Sequence, residues 1–146
     1  MEAVTSFADG TRFRNFRTFV GNGGYEFNDG RHLLSIDLLE KTFEISASHS
    51  LTLSYESKCT RLHGHNWIVT VYCRSRELNA DGMIVDFTEV KRKVKKVLDH
   101  QNLNEILPFN PTAENIARWI TEQIPQCYKA KVQESEGNIA IFEVDD

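Results

Sequence analysis

A chain of 146 residues, 40% hydrophobic and 26% charged, is long enough for one domain with its own core. Its net charge of -4 argues against a primary role on nucleic acid or an anionic membrane, and no apolar run reaches signal-peptide or membrane-spanning length. Three cysteines, Cys59, Cys73 and Cys127, are an odd count without paired spacing, which predicts reduced thiols in the cytoplasm and no disulfide framework.

Residues 1–41 read as an N-terminal extension without an assigned role, ahead of a domain over 42–146. GNGGYEFNDG (21–30) is rich in turn formers and predicts a hairpin tip or loop; its glycine spacing fits no phosphate-binding fingerprint. RFRNFR (12–17) predicts an amphipathic strand with its arginines in solvent. Phe13, Phe16, Phe19 and the LLSIDLL run (33–39) predict ordered, partly buried structure.

From residue 42 the periodicity sharpens. In TFEISASH, Phe43, Ile45, Ala47 and His49 share one strand face, opposite Thr42, Glu44, Ser46 and Ser48. A second strand over 64–74 carries Trp67, Val69, Val71 and Cys73 on the face that His63 and His65 begin. Next comes a helix with Asp86 as N-cap and Glu89 three residues on, the pattern of a capping box. Val90, Val94, Val97 and Leu98 predict its buried stripe, and Lys91, Arg92, Lys93, Lys95 and Lys96 a solvated face. A second helix opens at Thr112, with Ala113, Ile116, Ile120 and Ile124 in register, and stops near Pro125. Strands over 130–135 and 139–144, joined at Glu136–Gly137, close the chain. The order strand, strand, helix, helix, strand, strand (ββααββ) predicts an α+β domain: a four-stranded antiparallel sheet with two helices on one face.

Antiparallel pairing of the first two of these strands brings His49 beside His63 and His65, since the end of one strand then lies next to the start of the other. Three imidazoles with an open fourth position are the pattern of a catalytic zinc site. Cys59 as a fourth ligand would instead close a structural one. Imidazole donors favour zinc, with nickel, copper and iron(II) as other divalent candidates. Asp99 beside His100 offers a carboxylate–imidazole pair for proton transfer, or a polar helix end with the histidine favoured by the helix dipole. Glu134 shares parity with Ala130 and Val132, so a carboxylate ends an apolar row, where it needs a cationic or hydrogen-donating partner unless the strand end is in water.

The motifs KCTRLHGHNW (58–67), SASHSL (46–51), MIVDFTEVK (83–91), LDHQNLN (98–104), PTAENIA (111–117) and VQESEGNIAIF (132–142) together resemble the 6-pyruvoyltetrahydropterin synthase superfamily. The three-residue gap between Cys59 and His63 is similar to that of its carboxy-forming branch in queuosine biosynthesis. That resemblance implies a tunnelling fold and zinc on His49, His63 and His65. It implies a catalytic Cys59 that works with the Asp99–His100 pair in proton transfer. It also implies Glu134 as the pterin anchor and part of the proton relay, and Thr112 near the pterin. The implied reaction turns 7,8-dihydroneopterin triphosphate into 6-carboxytetrahydropterin, acetaldehyde and triphosphate. The implied assembly is a homohexamer, a dimer of trimers whose active sites lie between subunits. The pyruvoyl-forming reaction and a non-catalytic zinc-stabilised module are the alternatives on the same fold.

Overall fold

The computed structural model describes residues 17–20, 24–27 and 35–145. The chain divides into two compact units, one of residues 1–37 with 75–84, the other of residues 38–74 with 85–146. In the first unit, β1 (Arg17–Val20) pairs antiparallel with β2 (Gly24–Phe27), Arg17 opposite Phe27 and Val20 opposite Gly24. Residues 24–27 of the turn-rich stretch thus form a strand of a hairpin, while residues 12–16, 21–23 and 28–34, where further expectations fell, lie outside the described residues. Farther on, Asn79 Oδ1 accepts from Asp81 N and Met83 N at 3.0 Å and closes a turn in which Gly82 takes a φ of 78°.

The second unit is built on a five-stranded sheet of order β5-β3-β4-β6-β7. Its long strands are β3 (Asp37–His49), β4 (His63–Ser75), β6 (Cys127–Ser135) and β7 (Asn138–Glu143). Thr42 Oγ1 meets Thr70 Oγ1 at 2.9 Å, Ser46 Oγ meets Asn66 Oδ1 at 2.9 Å, and His49 meets His63 at 3.1 Å. Contacts that climb one strand descend the other, so β3 and β4 are antiparallel. The sheet also differs from the expected four strands by β5 (Gln101–Asn102), which pairs parallel with β3. Two residues carry no periodicity, so a strand this short leaves no mark in a sequence.

One face of the sheet holds the core. Ile45, Ala47 and His49, then Trp67, Val69, Val71 and Cys73, then Ala130, Val132 and Ala140 are buried, and the register aligns Val69 with Val132 and Val132 with Ala140. Helix α4 (Ala113–Glu122) packs on β6 and β7 and buries Ile116, Ala117, Ile120 and Thr121. Thr112 caps it, accepting from Asn115 N at 3.2 Å. The opposite face leaves Ile139 and Ile141 exposed, and Ile36 and Leu38 of the LLSIDLL run are exposed as well. Gly137, with φ +79°, occupies the tight turn into β7, a conformation that costs glycine nothing.

The helix after Asp86 departs from expectation twice. It runs as α1 (Phe87–Val90), a wide π-helical turn (Lys91–Lys95) and α2 (Lys96–Leu98). The wide turn winds less per residue, so Val90, Val94 and Leu98 stay in the core while Val97 rotates out to 41% exposure. Asp86 Oδ1 caps Thr88 N at 2.7 Å, but the reciprocal half of a capping box is replaced. The Glu89 carboxylate is instead forked by the Arg92 guanidinium at 2.8 and 2.6 Å. The burial difference predicts a stability difference. Ile120→Ala should lower unfolding free energy by about 2–5 kcal/mol, and Val97→Ala should stay within about 0.5 kcal/mol of wild type. Urea denaturation of both variants checks this; equal losses would contradict the placement of Val97.

Candidate active site

The three histidines sit where β3 ends and β4 begins. Their metal-binding atoms lie within 4.8 Å of one another. His49 is fully buried, and Trp67 packs edge-on against it and against His65, with ring centroids 4.9 and 5.2 Å apart. The indole is fixed in turn by its Nε1–H, which donates to Ala47 O at 3.2 Å. Burial pushes the imidazoles of His49 and His65 below the ordinary histidine pKa of 6.5, with Glu134 pulling the other way.

The hydrogen bonds fix which ring nitrogens are free. His49 Nδ1 donates to Pro111 O at 2.8 Å and His63 Nδ1 donates to Arg61 O at 2.7 Å. A carbonyl only accepts, so in each neutral ring the proton is on Nδ1 and the lone pair on Nε2. These two Nε2 atoms face each other at 3.1 Å. His65 Nε2 is buried without a hydrogen-bond partner. Two opposed lone pairs and an orphaned third imidazole nitrogen are unfavourable among themselves and satisfied together by one cation. Backbone carbonyls orienting the ligand rings are the usual outer support of such sites. The donor set therefore fits a divalent metal held by three histidines.

Glu134 lies at the edge of this cluster, 3.6 Å from His65 Nε2 and 3.8 Å from His49 Nε2. The ladder between β6 and β7 slips between Gln133 and Ser135, and such a bulge re-aims the side chain it carries. Glu134 is thus a partly covered carboxylate, 25% exposed, at the rim of the cluster rather than a frayed strand end in open water. A cavity of about 530 Å³ is lined by Lys58, Cys59, His63, His65 and Glu134, with Ser135 and Asn138. Cys59 sits in a single 3-10 turn (Lys58–Thr60) whose cap, Ser57 Oγ, accepts from Cys59 N at 3.1 Å. The thiol is half-buried and free.

Asp99 and His100 are held to β3 by two bonds. Ser46 N donates to Asp99 Oδ1 at 2.9 Å, and His100 N donates to Ser46 O at 2.7 Å. The Ser46 amide, with His100 nearby, holds the Asp99 carboxyl below the usual range. His100 Nδ1 is 3.2 Å from Asp99 Oδ1, its ring is 81% exposed, and its φ of 58° is a left-handed conformation that few non-glycine residues adopt. It opens on a second cleft of about 480 Å³, lined by Ser46, Gly64, His65, Asn66 and the β5 residues. Within one chain, then, Cys59 and His100 face different clefts that share, among the described residues, only His65 as a lining residue. Thr112 lines a third pocket, together with Glu134. The Pro111 and Arg61 carbonyls had no signal in the sequence, because every residue carries the same backbone group.

The protein-family model described as 6-pyruvoyl tetrahydropterin synthase matches residues 38–145, and the chain belongs to this family. It is similar to the 6-carboxy-5,6,7,8-tetrahydropterin synthase of Synechocystis sp., 38% identical over 98 residues, 61% of this chain and 75% of that protein. It is also similar to the 6-pyruvoyl tetrahydrobiopterin synthase of Dictyostelium discoideum, 31% identical over 127 residues, 72% of this chain and 94% of that one. The solved structure of Caenorhabditis elegans 6-pyruvoyl tetrahydropterin synthase matches with a TM-score of 0.62 at 26% identity, covering 76% of this chain and 97% of that one. The α+β architecture is that family's tunnelling fold.

Lowered histidine pKa values set a direction for pH dependence. As pH falls below the ordinary 6.5, the unfolded chain takes up protons that folded His49 and His65 resist. The metal-free protein should therefore hold its full stability above that value and lose it on acidification. Urea midpoints of metal-free protein should fall between about pH 7.5 and about pH 5.5; a midpoint that rises over this range would contradict the burial of neutral imidazoles.

Proposed function

We propose that the protein is a zinc enzyme that converts 7,8-dihydroneopterin triphosphate into 6-carboxy-5,6,7,8-tetrahydropterin, acetaldehyde and triphosphate, in the cytoplasm, as a step of queuosine biosynthesis. The observation that carries this reading is the grouping of Cys59 and Glu134 around one cavity with His63 and His65 of the three-histidine cluster. A structural zinc module needs neither the thiol nor the carboxylate in that place. The carboxy-forming name of the Synechocystis relative supports the product, as does the short gap between Cys59 and His63.

His49, His63 and His65 would hold the zinc, which supplies Lewis acidity toward the hydroxyls of the substrate side chain. Glu134, with free carboxylate oxygens at the cavity wall, accepts hydrogen bonds from the amino group and ring N–H of the pterin and orients it. Cys59 Sγ moves a proton on one side of the substrate side chain. His100, with Nδ1 toward Asp99, presents Nε2 for the second proton transfer, and Asp99 keeps that ring oriented. Thr112 Oγ1 already accepts the capping bond of α4, so its part is to shape the pterin end beside Glu134.

Because Cys59 and His100 of one chain open on different clefts, a complete site is assembled from two copies, with His100 of one subunit serving Cys59 of another. A homohexamer built as a dimer of trimers provides this, and closing the sheets into a barrel also removes the free edges at β7 and β5. The Dictyostelium relative's name favours a second product, 6-pyruvoyltetrahydropterin, formed without acetaldehyde release.

Two experiments test the reading. Zinc-loaded protein given 7,8-dihydroneopterin triphosphate should yield 6-carboxytetrahydropterin and acetaldehyde by mass spectrometry, and Cys59→Ala should abolish turnover while keeping its zinc. A pyruvoyl product without acetaldehyde would move the protein to the other branch; zinc loss in Cys59→Ala would make the thiol a ligand. For the assembly, Cys59→Ala and His100→Ala subunits, each inactive alone, should regain part of the activity when refolded together. No regain would place both groups in one chain's site.

A further inference from the structure

Two asparagines that the proposed chemistry leaves unused, Asn104 at the end of LDHQNLN and Asn110 just ahead of PTAENIA, meet the segment between His49 and Cys59. Beyond His49 the chain continues past β3 through Ser50, Leu51 and Thr52. Ser50 N donates to Asn104 Oδ1 at 2.8 Å, and Asn104 Nδ2 donates back to Ser50 O at 2.8 Å. Thr52 N donates to Asn110 Oδ1 at 2.9 Å, and Asn110 Nδ2 donates back to Thr52 O at 3.0 Å. Leu51, between them, donates its N–H the other way, to Cys59 O at 2.8 Å.

This alternation is that of a central strand whose partner on one side is a pair of side chains. A carboxamide carries the complement of a peptide unit, one acceptor oxygen and an N–H donor, so a single asparagine closes both backbone groups of one residue. Aspartate would keep the acceptor and set an oxygen against the carbonyl. Both asparagines are themselves anchored. Asn104 N donates to Asn102 Oδ1 at 3.1 Å in α3 (Leu103–Ile106), and Asn110 O accepts from Thr112 N at 2.8 Å and from Asn115 Nδ2 at 3.0 Å. The next carbonyl, Pro111 O, accepts from His49 Nδ1. One loop thus orients a histidine of the cluster and, through Thr52 and Leu51, reaches the turn that carries the thiol.

We propose that Asn104 and Asn110 are positioning residues for Cys59: they clamp residues 50–52 so that Leu51 holds the Cys59 turn at a set place beside the histidine cluster. The catalytic side of this inference rests on the proposed role of Cys59; the structural side does not. In zinc-loaded full-length protein, Asn104→Asp and Asn110→Asp are measured for kcat and KM with 7,8-dihydroneopterin triphosphate, for bound zinc, and for the rate of Cys59 alkylation by iodoacetamide. Peptide mass spectrometry reads each cysteine separately, and the buried Cys73 and Cys127 report whether the fold is intact.

The expected result is a kcat lowered about tenfold or more with KM changed less than about twofold, since small displacements of a reacting group act on the chemical step. Zinc should stay bound, Cys59 alkylation should change at least about threefold, and Cys73 and Cys127 should stay protected. Wild-type kcat and wild-type Cys59 alkylation in both folded variants would overturn the inference. So would exposure of Cys73 and Cys127 in both, because the asparagines would then support the domain as a whole. If wild-type protein does not turn over the pterin, the functional proposal fails, and the alkylation rates alone decide the clamp.

Discussion

The register in which β3 pairs with β4 is the constraint on which the centre of this protein depends. With His49 opposite His63 and Ser46 opposite Asn66, the odd-numbered side chains of both strands fall on the helix-covered face. A slip of one residue would turn the side chains of one strand to the other face, separating His49 from His63 and His65. Ile45 and Ala47 on β3, or Trp67, Val69 and Val71 on β4, oppose such a slip, because it would expose whichever row turned. The hydrophobic core therefore sets the site geometry, and the imidazoles follow as the last members of apolar rows.

That placement has an electrostatic consequence. Burial disfavours imidazolium, and carbonyls on the Nδ1 side direct lone pairs inward, so the cluster is preorganised for a cation and poorly satisfied without one. Glu134 lies at the rim of the cluster, 25% exposed. The same residue lines two of the three clefts, those of Cys59 and of Thr112.

Cys59 and His100 are held differently from the three clustered histidines. The histidines ride on long strands, whereas Cys59 rides on a short turn bonded to Leu51 just past β3, and His100 on a left-handed corner bonded to Ser46 of β3. The separation of these two groups within one chain is the physical reason an assembly enters the functional picture.

Period-two alternation made His49, His63 and His65 legible as neighbours, and helical spacing made the α4 stripe legible, because both patterns are local responses to one buried face. Resemblance of whole motifs pointed to Cys59, Asp99, His100 and Glu134, whose local sequence alone fitted polar loops equally well. Val97 misled because its spacing presumes a regular helix, whereas the chain takes a wide turn at Lys91–Lys95. The tautomer of His49 and the asparagine clamps on Ser50 and Thr52 rest on backbone groups brought together across tens of residues, whereas that of His63 rests on the nearby Arg61 carbonyl and the bulge at Glu134 on the β6–β7 hairpin. Backbone groups are chemically alike at every position, so only the tertiary structure decides which of them meet. What the sequence determined by itself was the side-chain chemistry and the faces on which it lies.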